Sequence, residues 1–277
     1  MTEATTTKDA LAAAGVPELD AVLAEGVDQP LVFVAVSGAH LYGFASADSD
    51  VDLRGAHLLP VEELIGLDTP RDTISRMWLR EGVELDMVTH DLAKFARLML
   101  RRNGYVLEQL LSPLVVRTSP VHQELKALAP LVLTRHHAAH YQGFARTQWR
   151  LFERTDELKP LLYTFRALLT GIHLMRSGEV QSHLPSLLDE TASAPAFLRE
   201  LVAAKALAEH GLRSELPGAP DRDRLRRSMQ TMQAELEASQ QAGALPERQG
   251  GHRELNELVV RARLGSAERR TVVPGRS

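Results

Sequence analysis

The sequence predicts an α+β fold in which a small sheet domain precedes an all-helical region. Three observations carry this. Leu31-Val32-Phe33-Val34-Ala35-Val36 is a continuous apolar run rich in β-branched residues, the pattern of a strand buried on both faces. Val83 to Val88 alternates, with Val83, Leu85 and Met87 on one side and Glu84 and Asp86 on the other, as in a strand with one acidic face. From Thr89 onward the apolar spacing becomes helical and stays so almost to the end.

Taken in order, residues 8–25 read as a short amphipathic helical region broken near Gly15 and Pro17. The first strand, Leu31 to Val36, ends at Ser37-Gly38. A second runs from Val51 to Leu59 with Arg54 and Gly55 inside it, and Thr73 to Leu79 reads as a third. Leu92, Phe95, Ala96 and Met99 form a helical stripe that Asn103-Gly104 should stop. A short helix follows from Tyr105 to Leu111. Ser119-Pro120 offers an N-cap with proline at the first helical position, opening a helix that should end at Ala129 before Pro130. Thr134 should cap a helix through Phe152, and Lys159-Pro160 should open one that Ser177-Gly178 ends. Stretches 196–210 and 221–239 also read as helical, as does Arg253 to Leu264 after a polar loop. The expected division is a catalytic α/β domain over 1–118, a helical domain over 119–264 and a disordered basic tail over 265–277.

The bulk properties exclude several classes. The chain has 277 residues, of which 44% are hydrophobic and 25% charged, values of an ordinary globular protein. Its net charge of -4 offers no global positive field for nucleic acid or membrane, although a local basic groove would suffice. With no cysteine, disulfides, thiolate metal sites and thiol nucleophiles are ruled out. No apolar run approaches the roughly 20 residues of a membrane span. The first residues lack the basic flank and apolar core of a signal peptide, so a cytoplasmic protein is expected.

The chemistry concentrates in Ser37-Gly38-Ala39-His40-Leu41-Tyr42-Gly43 and the Asp48-Ser49-Asp50-Val51-Asp52 that follows. With Val51 in a strand, Asp50 and Asp52 share a face, because side chains alternate with period two. Asp86 brings a third carboxylate from another strand, with Glu84 as its competitor. Carboxylates converging from neighbouring strands beside a glycine turn suit a pair of divalent cations and a phosphate.

These residues resemble the DNA polymerase β-like nucleotidyltransferase superfamily. The string from Ser37 to Leu59, with Tyr42-Gly43 and Leu53-Arg54-Gly55, is similar to its predicted RNA-repair-pathway branch. Further matches are Asp86-Met87-Val88-Thr89, Lys94-Phe95, Asn103, Leu107-Glu108, Lys159, Tyr163 and Arg166. The family order is Gly-Ser, whereas this chain reads Ser37-Gly38. The resemblance implies a polymerase β-like palm built on a mixed sheet. It implies an enzyme of the EC 2.7.7 type that moves a nucleoside monophosphate from an NTP, ATP among them, to a hydroxyl. Asp50, Asp52 and Asp86 would bind two Mg²⁺ ions and carry catalysis. Ser37 and Gly38 would hold phosphate oxygens, with Tyr42, Lys159, Tyr163 and Arg166 completing the nucleotide site. The acceptor it suggests is an RNA or tRNA end. A small molecule or a protein hydroxyl is the alternative, as is a non-catalytic nucleotide-binding member.

Plainer readings stand beside these. The aspartates alone would suit a solvated turn, and Lys159, Tyr163 and Arg166 an ordinary helix surface. Arg54 reads as a surface residue or an anion ligand, Asn103 as a helix C-terminal residue, and Glu108 as a partner of a loop or a base. His136, His137 and His140 have metal-ligand spacing but no acidic companion. The arginines between Arg135 and Arg176, with Arg146 and Arg150, form the one local basic concentration that could guide a nucleic acid backbone; a solvated face is the commoner explanation for such charges.

Overall fold

The computed structural model describes Leu19 and residues 29–46, 49–80, 82–207 and 211–271. The expected helical region at 8–25 and Asp48 therefore lie outside the described residues, Leu19 apart.

Five strands form one mixed sheet: β1 (Leu31–Val36), β2 (Val51–His57), β3 (Thr73–Arg80), β4 (Val83–Asp91) and β5 (Val115–Arg117), in the order β3-β4-β2-β1-β5. Among the described strands only the β2–β4 contact is parallel. The predicted α+β class, a mixed-sheet domain followed by helices, is what the chain adopts. β1 is buried along almost its whole length, because residues cover both of its faces. β4 alternates, with Leu85, Met87 and Thr89 buried and Glu84, Asp86, Val88 and His90 more open.

Between these strands lie α1 (Gly38–Tyr42) and α2 (Val61–Ile65), then α3 (Leu92–Met99) and α4 (Gly104–Leu110). β4 runs to Asp91, past the point where helical spacing first appears at Thr89. Asp91 then caps α3 by accepting from Ala93 N at 3.0 Å. Asn103 does not end α3. It opens α4, its Oδ1 accepting from Tyr105 N at 3.1 Å and Val106 N at 3.4 Å. An Asn side chain satisfies free amides at a helix start as readily as it tolerates a helix end, and sequence alone does not separate the two.

The helical region comprises α5 (Pro120–Val132), α6 (His137–Thr155), α7 (Leu158–Ser177), α8 (Leu184–Glu190), α9 (Phe197–Lys205), α10 (Arg222–Ala242) and α11 (His252–Thr271). Ser119 caps α5 through His122 N, but Pro130 sits inside the last turn rather than ending the helix. Thr134 lies before α6 as a partner of His137, not as its cap. Gly178 closes α7 at φ 77°. The last helix passes Leu264 and reaches Thr271, so the tail expected to be disordered from 265 is helical there. α7 is buried on nearly all sides and packs between α6 and α10, which makes it the axis of the helical region. Arg263 of α11 donates to Asp91 Oδ2 at 2.7 Å, tying the last helix to the end of β4.

Candidate active site

Three backbone pairings set out the site in a row across the sheet. Ser37 N donates to Asp52 O at 2.8 Å, placing the glycine turn beside β2. Asp52 stands opposite Asp86 in the parallel ladder, and Asp86 opposite Met77 in the antiparallel one. Side chains at paired positions point to the same face, so one line running across the strands carries turn, carboxylate, carboxylate and Met77.

Gly38 has φ 63°, a conformation that costs any residue with a Cβ. A Cβ there would also overlap the Asp52 carboxylate at Oδ2. The glycine is thus required twice, for its backbone and for the carboxylate it admits. Ser37 Oγ is buried with no hydrogen-bond partner, an orphan hydroxyl at the head of α1. A buried unpaired hydroxyl is costly unless a ligand satisfies it.

Arg54 holds the carboxylates together. Its Nη2 donates to Asp52 Oδ1 at 2.6 Å and to Asp86 Oδ2 at 2.8 Å. Nη1 donates to the carbonyls of Asp86 at 2.6 Å and Leu53 at 3.0 Å, and Nε to Tyr105 Oη at 3.2 Å. All three charged side chains are a quarter exposed or less. Arg54 is therefore not the surface residue or anion ligand that its position inside a strand suggested. The signal was present: Asp52 and Arg54 are two apart in a strand and so share the acidic face. Burial raises the Asp52 carboxyl above its ordinary value, a rise that Arg54 opposes, Asp50 and Asp86 reinforce and Lys159 opposes.

The remaining expected residues divide into two groups. Lys159 and Tyr163 of α7 lie near the acidic row. Lys159 acts on Asp52, and the Tyr163 hydroxyl is pushed well above its usual range by burial first and by the Asp52 charge second. Asp50 sits half-buried just before β2. Tyr42 and Arg166 belong to a separate buried network around Glu108. Tyr42 Oη donates to Glu108 Oε2 at 3.0 Å and Arg166 Nη1 to Glu108 Oε1 at 2.9 Å. The Arg166 guanidinium also lies 3.9 Å from the centre of the Tyr42 ring. With Arg166 only 2% exposed and Tyr42 1%, neither presents a polar atom to a triphosphate in this arrangement. Glu108 is neither a loop partner nor a base reader but the anion of a core ion pair, whose burial the sequence does not announce. The Tyr163 ring stands edge-on to Tyr42 at 5.4 Å and joins the two groups.

Glu84 is exposed on the same face as Asp86 and opposite Leu79. The loop leading to Asp50 is held from the helical side by Lys205, whose Nζ donates to Ser46 Oγ at 3.2 Å. His137 is buried, with its ring Nδ1 among the Thr134 atoms. Arg146 and Arg150 are exposed on α6.

Among the described residues no three His, Cys, Asp or Glu side chains gather closely enough to cage a metal ion. A Mg²⁺ arriving with a nucleotide needs less: one or two carboxylates plus phosphate oxygens. Asp52 Oδ2 and Asp86 Oδ1 are not used by Arg54, so the donor set suits such an ion even though Arg54 engages one oxygen of each carboxylate.

A mixed sheet with an orphan serine at a glycine turn and paired aspartates on adjoining strands defines a polymerase β-like nucleotidyltransferase architecture. Residues 14–261 match the RNA repair pathway DNA polymerase beta family, and the chain belongs to that family. The family's name points to a nucleotidyltransferase of an RNA repair pathway. An uncharacterized protein of Methanocaldococcus jannaschii is 33% identical over 161 residues, covering 56% of this chain and 64% of that relative, so less than two thirds of its length is matched. Among the described residues no helix is long and apolar enough to cross a membrane.

Proposed function

We propose that this protein transfers a nucleoside monophosphate from an NTP to a hydroxyl at an RNA end, releasing pyrophosphate. The acceptor oxygen forms a bond to the α-phosphorus while the bond to the α,β-bridging oxygen breaks. That oxygen leaves with pyrophosphate, and the hydroxyl proton passes to water. The observation that carries this reading is the row from Ser37 through Asp52 to Asp86, with an unsatisfied hydroxyl at one end and two carboxylates beyond it.

Each residue has a part in it. Ser37 Oγ and the amides of the glycine turn would bind the β- and γ-phosphates. Lys159 would neutralise phosphate charge from the α7 side, and the Tyr163 ring would bound the pocket. Asp50, Asp52 and Asp86 would hold Mg²⁺, up to two ions, through the oxygens that Arg54 leaves. Bound there, Mg²⁺ would offset phosphate charge and lower the pKa of the attacking hydroxyl. Arg54 would hold Asp52 and Asp86 side by side and aimed before substrate arrives, a positioning role. Tyr42, Glu108 and Arg166 form the buried support behind the pocket rather than its lining. The catalytic part is proposed to be residues 1–118, with the helical part, 119–264, supplying Lys159 and Tyr163.

The test is to incubate the protein and Mg²⁺ with each α-labelled NTP, together with tRNA, short RNAs or small hydroxyl compounds. Label in RNA supports the proposal. Label in a small compound or on the protein itself reassigns the acceptor. Nucleotide binding with no transfer to anything refutes it.

A further inference from the structure

The sheet gives the site a direction. The glycine turn lies on the β1 side of Asp52, whereas Asp86 and then β3 lie on the opposite side. In phosphoryl transfer the attacking and leaving oxygens stand roughly in line on opposite sides of the phosphorus. With pyrophosphate held at the turn, as the proposed function has it, the acceptor hydroxyl must approach from the β4–β3 side.

On that side the outer strand exposes two large apolar side chains beside the carboxylates. Met77 and Leu79 are 68% and 71% exposed. Met77 pairs with Asp86 and Leu79 with Glu84, so both share the face of the carboxylates. Trp78, between them, packs against the core on the other face, which fixes the outward direction of its neighbours. β3 is the outermost of the described strands, so no further strand among them shields the pair. Two large side chains standing free in water beside an acidic row are an unusual use of an edge strand, which more often carries charge there. One strand spacing, about 5 Å, separates Met77 from its partner Asp86, a gap that one nucleotide spans between its base and its sugar hydroxyl.

We infer that Met77 and Leu79 form the platform on which the terminal base of a single-stranded RNA acceptor rests while its hydroxyl reaches Asp86. The occupant follows from position and chemistry together. It must carry a hydroxyl to the acidic row, lie flat on aliphatic side chains, and extend off the edge of the sheet. An unpaired terminal nucleotide does all three. A sugar or a charged peptide would gain nothing from Met77 and Leu79.

The inference rests on the proposed function, and its test separates the two. Binding of a fluorescent short RNA to the full-length protein is measured for an oligonucleotide with its 3′-terminal base and for one with an abasic terminal nucleotide. Wild type should bind the intact RNA about tenfold more tightly, the scale of covering one apolar side chain with a base. The double variant Met77→Ser, Leu79→Ser should bind both RNAs equally, with its NTP affinity unchanged. Met77→Leu, which keeps an apolar side chain there, should retain the difference. The substituted positions are exposed, and circular dichroism reports that the variant remains folded. Wild type that ignores the terminal base, or binds no RNA, overturns the platform. So does a double variant that loses only self-association or the binding of a protein. Base-dependent binding without nucleotide transfer would leave the platform standing and refute the transferase.

Discussion

Asp52 and Asp86 face each other across the parallel β2–β4 ladder, and one nitrogen of Arg54 lies within 2.8 Å of an oxygen on each. Two carboxylates brought together repel, and the shared cation offsets that repulsion. Burial already raises the Asp52 carboxyl and Arg54 opposes that rise, so Arg54→Gln should raise it further and move the acid limb of the pH–rate profile upward. Arg54→Lys keeps the charge but loses the planar fork, and should lower kcat about tenfold to a hundredfold with a smaller displacement of the limb. Rates measured across pH for both variants check this. Identical profiles would remove Arg54 from the account.

Gly38→Ala tests the turn. A left-handed φ of 63° costs a residue with a Cβ about 1–2 kcal/mol. The added methyl would also push the Asp52 carboxylate aside, a displacement that commonly costs about a hundredfold in rate. Urea unfolding should show the modest loss and the transfer assay the larger one.

The buried pair of Glu108 and Arg166 makes a stability prediction. Their side chains are 1% and 3% exposed. Arg166→Met alone should cost about 3–5 kcal/mol, because it strands a buried charge. Adding Glu108→Gln should recover much of that, and the urea midpoints of the singles and the double measure it.

His137 predicts acid sensitivity. Burial lowers its pKa from 6.5 to about 4, so the folded imidazole stays neutral where the unfolded one is protonated. The unfolded state binds the extra proton between these values, and stability falls as pH drops through that window. The loss approaches about 3 kcal/mol at about 1.4 kcal/mol per pH unit. His137→Gln should flatten the dependence of the urea midpoint on pH between 6.5 and 4.

What the sequence revealed follows from which forces act locally. An unbroken apolar run carried β1 and alternation carried β4, including the acidic face that holds Asp86, because both patterns are written residue by residue. The Ser37-Gly38 turn was legible because only glycine tolerates its geometry. β5 was missed: Val115 to Arg117 is three residues long and owes its strand to pairing with β1, not to its own pattern. Tyr42, Glu108 and Arg166 lie far apart in the chain, and their burial is a product of tertiary packing between α1, α4 and α7. Arg54 is a nearer miss, since the same period that aligned the aspartates also places it between them.

The most direct measurement is transfer of label from an α-labelled NTP to the end of an RNA, compared between wild type, Asp52→Asn and Asp86→Asn. Transfer at the Asp52–Asp86 row predicts labelled RNA and stoichiometric pyrophosphate from wild type, with each variant folded but slower by on the order of a hundredfold to a thousandfold. Equal labelling by wild type and variants, or none with any NTP and acceptor, would contradict it.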